Sequence, residues 1–197
     1  GKYGPLLKDL GIEVHCLNMQ QGRVSLTGLW RLFKLLRMHK PDVVQTWMYQ
    51  ADLIGGVVAR LAGVKHVFWN VRHTTLEPGQ SKRSTIWVAK VCAFVSGWIP
   101  KKIVYCAHKA QAVHKALGYK KSKAEIIVNG YDLTQFSIDS GASIAFRTEI
   151  GLSVDENLIG MVGRFDPQKD HANLIKALCL VKKANYNFKL VLIDFYI

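Results

Sequence analysis

The sequence lacks several familiar signatures. No G-x-G-x-x-G occurs, so nothing matches the glycine fingerprint that lets a backbone approach a dinucleotide, and a dinucleotide-dependent oxidoreductase is weakly supported. The four cysteines, Cys16, Cys92, Cys106 and Cys179, form no C-x-x-C pair and no metal spacing; among mostly apolar neighbours they read as buried thiols in a reducing compartment. The apolar stretch from Ile86 to Val95 is broken by Lys90 and followed by Ser96-Gly97, short of the roughly 20 residues that span a bilayer. It reads as a buried helix, with a membrane-surface helix as the sharper alternative. The opening residues GKYGPLLKDLG carry neither an initiator Met nor the long apolar core of a signal peptide, and resemble a helix end, so a missing true N-terminus is expected.

Acid is missing too. From Pro78 to Ala124 there is no Asp or Glu, whereas Lys82, Arg83, Lys90, Lys101, Lys102, Lys109, Lys115, Lys120, Lys121 and Lys123 all fall there. Over the whole chain, 27 Lys and Arg against 14 Asp and Glu leave a formal charge of +13, which calls for anionic partners: nucleotide phosphates, acidic lipid or nucleic acid. No helix-turn-helix, RNP or zinc-finger pattern accompanies the basic run, so a specific nucleic-acid reader is not supported. An anionic membrane surface suits it better, each basic residue there being worth about 1 kcal/mol.

What is present is ample core material and a regular alternation. In 197 residues, 49% are hydrophobic, enough for one large domain or one and part of a second. Ile12 to Leu17 reads as a strand after the Gly11 stop. Ser25 caps a helix from Leu26 to His39, and Pro41 restarts the chain. Asp42 to Thr46 is a strand, Ala51 to Ala62 a helix and Val64 to Val71 a strand, with Asp52 placed to cap a helix N-terminus. Ser84 to Ile99 is helical, Lys102 to Cys106 a strand, Ala107 to Leu117 a helix ended by Gly118, and Glu125 to Val128 a strand. Such alternation argues for an open parallel sheet with helices on both faces and ligands beyond the carboxyl ends of the strands. The Ser-, Gly- and Asp-rich segment Ser137 to Ser143 reads as a linker before a helix ending near Ile150-Gly151.

The chain is organised around Asn157 to Leu178. Leu158 to Val162 is a short apolar strand ending at Gly163, Arg164 to Lys169 crosses a turn, and Asp170 opens an amphipathic helix. Gly160 and Gly163 allow close approach, Arg164 and Lys169 supply cations, and the helix N-terminus adds unpaired N–H groups, all of which favour a diphosphate. An ordinary βα turn with solvated cations fits the same residues equally well.

Gly163-Arg164-Phe165, Gln168-Lys169-Asp170-His171 and Asn173-Leu174-Ile175, preceded by Ile126-Ile127-Val128-Asn129-Gly130-Tyr131-Asp132 and Phe136, resemble the retaining glycosyltransferase family 4 from about Ile12 onward. The resemblance implies an α/β chain of GT-B type. Residues 1–136 would be a Rossmann-like, acceptor-side N-terminal domain without its first strand, and 137–197 the beginning of a second Rossmann-like domain that binds the nucleotide sugar. It further implies donor-binding roles for Gly163, Arg164, Lys169 and Asn129, with Arg164 and Lys169 stabilising the departing diphosphate, and a catalytic place for His73, followed by Thr74, near the anomeric carbon. Arg72 would touch phosphate or acceptor anions, or form a surface ion pair. Two departures stand out: Val128 replaces the usual Pro before Asn129, and Gln50 replaces the His of Tyr-His-Ala-Asp.

No cofactor or metal is expected, since no D-x-D chelating pair occurs; the donor would be a UDP-sugar or GDP-sugar. The implied acceptor is a cell-envelope glycan or lipid-linked saccharide, with an anionic membrane as a further partner and a cytoplasmic location, peripheral on the inner membrane face. The family's paired glutamates have no counterpart before Ile197, so the chain is expected to be inactive by itself. The reading from another class is a non-catalytic basic module for anionic membrane or nucleic acid.

Overall fold

Ser25 shows how local chemistry sets the first large element. Its hydroxyl accepts from the Gly28 N–H at 3.1 Å, satisfying one orphan donor at the start of a helix over Leu26–His39. Lys40, in the left-handed region, closes the helix by donating its N–H to the Leu36 carbonyl. The computed structural model describes residues 3–20, 23–76 and 81–194. The helices are α1 (Tyr3–Asp9), α2 (Leu26–His39), α3 (Gly56–Leu61, entered through a π-helical turn, Ala51–Gly55), α4 (Arg83–Val95), α5 (His108–Leu117), α6 (Ser140–Glu149) and α7 (His171–Lys183). The strands are β1 (Val43–Trp47), β2 (His66–Val71), β3 (Lys102–Tyr105), β4 (Ala124–Ile126), β5 (Leu158–Val162) and β6 (Lys189–Ile193). They fall in two compact units, Gly1–Tyr131 and Asp132–Ile197.

In the first unit the sheet is parallel throughout, in the order β1-β2-β3-β4. Each strand is added on the same side of the last, and right-handed crossovers then place every connecting helix on one face. That face carries Val67, Trp69, Val71, Ile103 and Tyr105, packed against Ala59 of α3, Ala89, Cys92 and Ala93 of α4 and Ala110 of α5. Leu36 of α2 packs on the same cluster. The opposite face is open: Val43, Gln45, Trp47, Phe68, Asn70 and Val104 line a broad hollow. Among the described residues the helices therefore cover one face of this sheet where both were expected.

Three further expectations are corrected. Ile12 to Leu17 forms no strand, because among the described residues no ladder partner lies beside it and an extended segment alone gains no inter-strand hydrogen bonds. Residues Ser140 to Ser143 lie within α6, since Asp139 accepts from the Ala142 N–H at 3.0 Å and nucleates the helix inside the segment read as a linker. Of the four thiols expected to be buried only Cys92 is fully so, which pushes it up to about 12; Cys106 is half-buried, while Cys16 and Cys179 are exposed.

The second unit pairs β5 with β6 in parallel, Leu158 opposite Lys189 through Val162 opposite Ile193. The expected strand Leu158 to Val162 is found as β5.

Candidate functional site

The C-terminal ends of β1, β2 and β4 gather the polar side chains of the first unit. The chain leaves β1 through Met48 at φ 75°, a conformation that non-glycine residues rarely adopt and that recurs at functional turns. Its N–H donates to the Asn70 carbonyl at 3.2 Å, tying the turn to β2. This turn sends Tyr49 into the core while Trp47 stays half-exposed.

Tyr49 links two histidines. Its ring centroid lies 5.4 Å from that of His73, which directly follows β2 and Arg72, and 5.6 Å from that of His114. His114 is fully buried, with Nδ1 2.7 Å from the Ala110 carbonyl and Nε2 2.6 Å from the Tyr49 hydroxyl. A carbonyl only accepts, so Nδ1 carries the proton; Nε2 of the neutral ring then accepts from Tyr49. Burial lowers the pKa of His114, the Ala110 bond opposes that, and the charge of His73 adds to the lowering. Burial is also the main cause that raises the Tyr49 phenol, which stays protonated as a donor.

Asp52 is not a cap. It lies inside the π-helical turn, buried, and its Oδ1 accepts from Thr46 Oγ1 at 2.6 Å. Gln50, just before the turn, is already helical, and the Asp52 side chain points back to β1 instead of to the helix N–H groups. Burial pushes its carboxyl up to about 7, against the opposing bonds from Thr46 and the Asn70 backbone.

Among the described residues Arg72 forms no ion pair, which was one of its two readings. Its guanidinium stacks on Trp47, 4.6 Å from the ring centroid, and Nη1 donates to Asn129 Oδ1. The structure therefore brings Asn129, expected on the donor side, to the same sheet rim as His73 and Arg72.

In the second unit, β5 ends at Gly163, whose N–H donates to the Ile193 carbonyl at 2.9 Å. Lys169 folds back so that its aliphatic stem lies over Gly163; a Cβ there would sit 3.6 Å from Cδ and Cε. Asp170, at φ 52°, caps α7 by accepting from the Asn173 N–H at 3.3 Å. The Phe165 N–H donates to Asp194 Oδ1 at 3.2 Å, and its ring packs 4.8 Å from that of His171. Gly163 and Lys169 are thus in contact, ahead of a helix N-terminus, while Arg164 is exposed on the same loop. As for metal, Glu13, His15 and His39 bring ligand atoms within 4.8 Å of one another among the described residues, all three exposed.

The first unit is a parallel-sheet α/β unit with a histidine and an arginine at its rim, and the second, by itself, joins two parallel strands through a basic loop and a capped helix. A family model for Glycosyltransferase Family 4 matches residues 5–135, and the chain belongs to that family. The chain is 28% identical over 154 residues to UDP-Gal:alpha-D-GlcNAc-diphosphoundecaprenol alpha-1,3-galactosyltransferase of Escherichia coli, covering 74% of this chain and 38% of the relative. It is 26% identical over 139 residues to EpsF of Bacillus subtilis, covering 69% and 35%. The chain thus spans well under half the length of these relatives. Its structure resembles that of Anabaena HepE in complex with UDP and glucose, with a TM-score of 0.76 at 16% identity, over 100% of this chain and 52% of the other. The fold is of the GT-B type.

His114, Tyr49 and the Trp47–Arg72 stack were not singled out by sequence reasoning. The available signal for His114 was its place on the core-facing side of α5, one turn after Ala110, where a histidine needs two partners.

Proposed function

We propose that the chain is part of a retaining hexosyltransferase that moves a sugar from a UDP-sugar or GDP-sugar to a hydroxyl of a lipid-linked saccharide or other cell-envelope glycan. The observation that carries this is the loop after β5, where the Lys169 stem lies on Gly163 just ahead of the capped start of α7. Lys169 and Arg164 supply positive charge and α7 its N-terminal dipole to the diphosphate leaving group, so the reading needs no metal or further cofactor. His73, half-buried and backed by Tyr49, serves the anomeric carbon, and an acceptor hydroxyl attacks from the face the diphosphate leaves. The E. coli relative, named for a UDP-sugar donor and a diphosphoundecaprenol-linked acceptor, supports the same substrate classes here.

The same reading places the chain in the cytoplasm, peripheral on the inner membrane face. Trp87, Phe94 and Trp98 are 65%, 74% and 67% exposed on the outer side of α4 and the turn after it, within the acid-free basic segment. Aromatic side chains flanked by lysines suit the interface of an anionic bilayer. No helix of the described residues is long and apolar enough to cross a membrane.

Thermal unfolding with UDP-sugars, GDP-sugars and free nucleoside diphosphates tests the donor assignment. One nucleotide series is expected to raise Tm, by about 3 kcal/mol of stabilisation at a hundredfold excess over Kd, and the Arg164→Ala/Lys169→Ala variant to lose that rise. A chain that answers to anionic vesicles and to no nucleotide would instead be a non-catalytic membrane module.

A further inference from the structure

Trp47 ends β1, Arg72 follows β2 directly, and Asn129 follows β4; the three meet at the rim where parallel sheets receive ligands. The Arg72 guanidinium carbon lies 4.6 Å from the Trp47 ring centroid, and Nη1 donates to Asn129 Oδ1. Among the described residues its enclosed Nε has no hydrogen-bond partner and no carboxylate pairs with the side chain. An arginine with one enclosed, unpaired donor and only neutral partners is an incomplete electrostatic arrangement, because a partly desolvated cation is ordinarily matched by an anion.

The missing partner can be specified from the groups present. Trp47 fixes the guanidinium plane and Asn129 holds one edge, so the remaining Nη hydrogens form a preorganised fork for two oxygens of one oxyanion. With Oδ1 accepting from Arg72, the Asn129 amide nitrogen remains as a further donor.

We propose that Trp47, Arg72 and Asn129 form an anion site of the first unit that takes a phosphate or diphosphate group of the acceptor, separately from the donor diphosphate on the Gly163–Lys169 loop. The word acceptor rests on the function proposed above; the anion site rests on the geometry alone. Asn129 accordingly serves the acceptor side, in place of the donor role that the family resemblance implies for it.

The test is isothermal titration of the 197-residue chain with farnesyl diphosphate, inorganic pyrophosphate and UDP. Wild type is compared with Arg72→Gln, Arg72→Lys and Arg164→Ala/Lys169→Ala, each matched to wild type by circular dichroism. Arg72→Gln is expected to weaken farnesyl diphosphate and pyrophosphate about tenfold or more, Arg72→Lys by less because a point charge replaces a fork, and neither to change UDP. The donor-loop variant is expected to lose UDP and keep farnesyl diphosphate. Farnesyl diphosphate binding within twofold of wild type in Arg72→Gln, or lost only in the donor-loop variant, overturns the site. Preference for farnesyl diphosphate over pyrophosphate marks a lipid-borne phosphate, and equal binding marks a site for free phosphates, which overturns the acceptor assignment. Failure of UDP to bind wild type overturns the proposed function, and the pyrophosphate arm then decides the anion site by itself. Should Arg72→Gln not fold, the exposed Asn129→Ala replaces it, with a several-fold loss of farnesyl diphosphate expected and no loss contradicting the site.

Discussion

Tyr49 and His114 form a pair whose two members cannot be removed independently. Tyr49→Phe leaves the Nε2 of a fully buried imidazole without a donor and is expected to cost about 1–3 kcal/mol in denaturant unfolding. His114→Leu strands the Tyr49 hydroxyl in the same way. The double variant should cost less than the sum of the two, and strict additivity would show that the 2.6 Å contact carries no energy. Asp52 gives a pH prediction at the same scale. Its folded pKa of about 7 lies above its ordinary 3.8, so the folded state binds more protons between those values, and stability present below about pH 4 is lost as pH rises through 7. Asp52→Asn should flatten that slope and leave the variant relatively more stable at pH 8 than at pH 4. An unchanged pH–stability slope in the variant would remove Asp52 as its source.

At the scale of elements, α4 presents two faces with different tasks. Ala89, Cys92 and Ala93 are packed in the core, while Trp87 and Phe94, two turns apart, are exposed and Phe94 meets Trp98 at 5.4 Å edge to face. Trp87→Ser/Phe94→Ser/Trp98→Ser should leave Tm within a degree or two, since the removed surface is already in water, yet weaken binding to phosphatidylglycerol vesicles about tenfold or more. Equal binding by the variant would show that lysines alone mediate attachment, or that the face is not used. The elements that the sequence disclosed best are those whose stops are local: the Ser25 cap of α2, the Gly118 end of α5, and β5 with its following turn. Ile12 to Leu17 misled because strand propensity says nothing about whether a ladder partner is there. The π-helical entry to α3 was not anticipated because Ala51 to Ala62 reads from the sequence as one regular helix.

For the whole molecule, the two units were legible to different depths. The loop after β5 could be read directly, because Gly163, Arg164, Lys169 and Asp170 are close in sequence and their chemistry is local. In the first unit's rim Arg72, His73 and Asn129 were singled out one by one, but that they meet Trp47, Tyr49 and His114 could not be read, because these residues come from separate elements that the parallel register brings together. The acid-free basic run was visible as composition, but which of its aromatic neighbours face solvent was decided by packing of α4 on the sheet. Family membership and fold now rest on the match over residues 5–135 and on the structure; substrate and chemistry rest on the loop after β5.

The most direct test of that loop is hydrogen–deuterium exchange of the chain with and without saturating UDP. Bound diphosphate should slow exchange of the amides from Gly163 through Leu174, by at least about tenfold at the α7 N-terminus, and leave β1 to β4 unchanged. Protection confined to the first unit, with the Gly163–Leu174 amides unaffected, would contradict the assignment of the donor site.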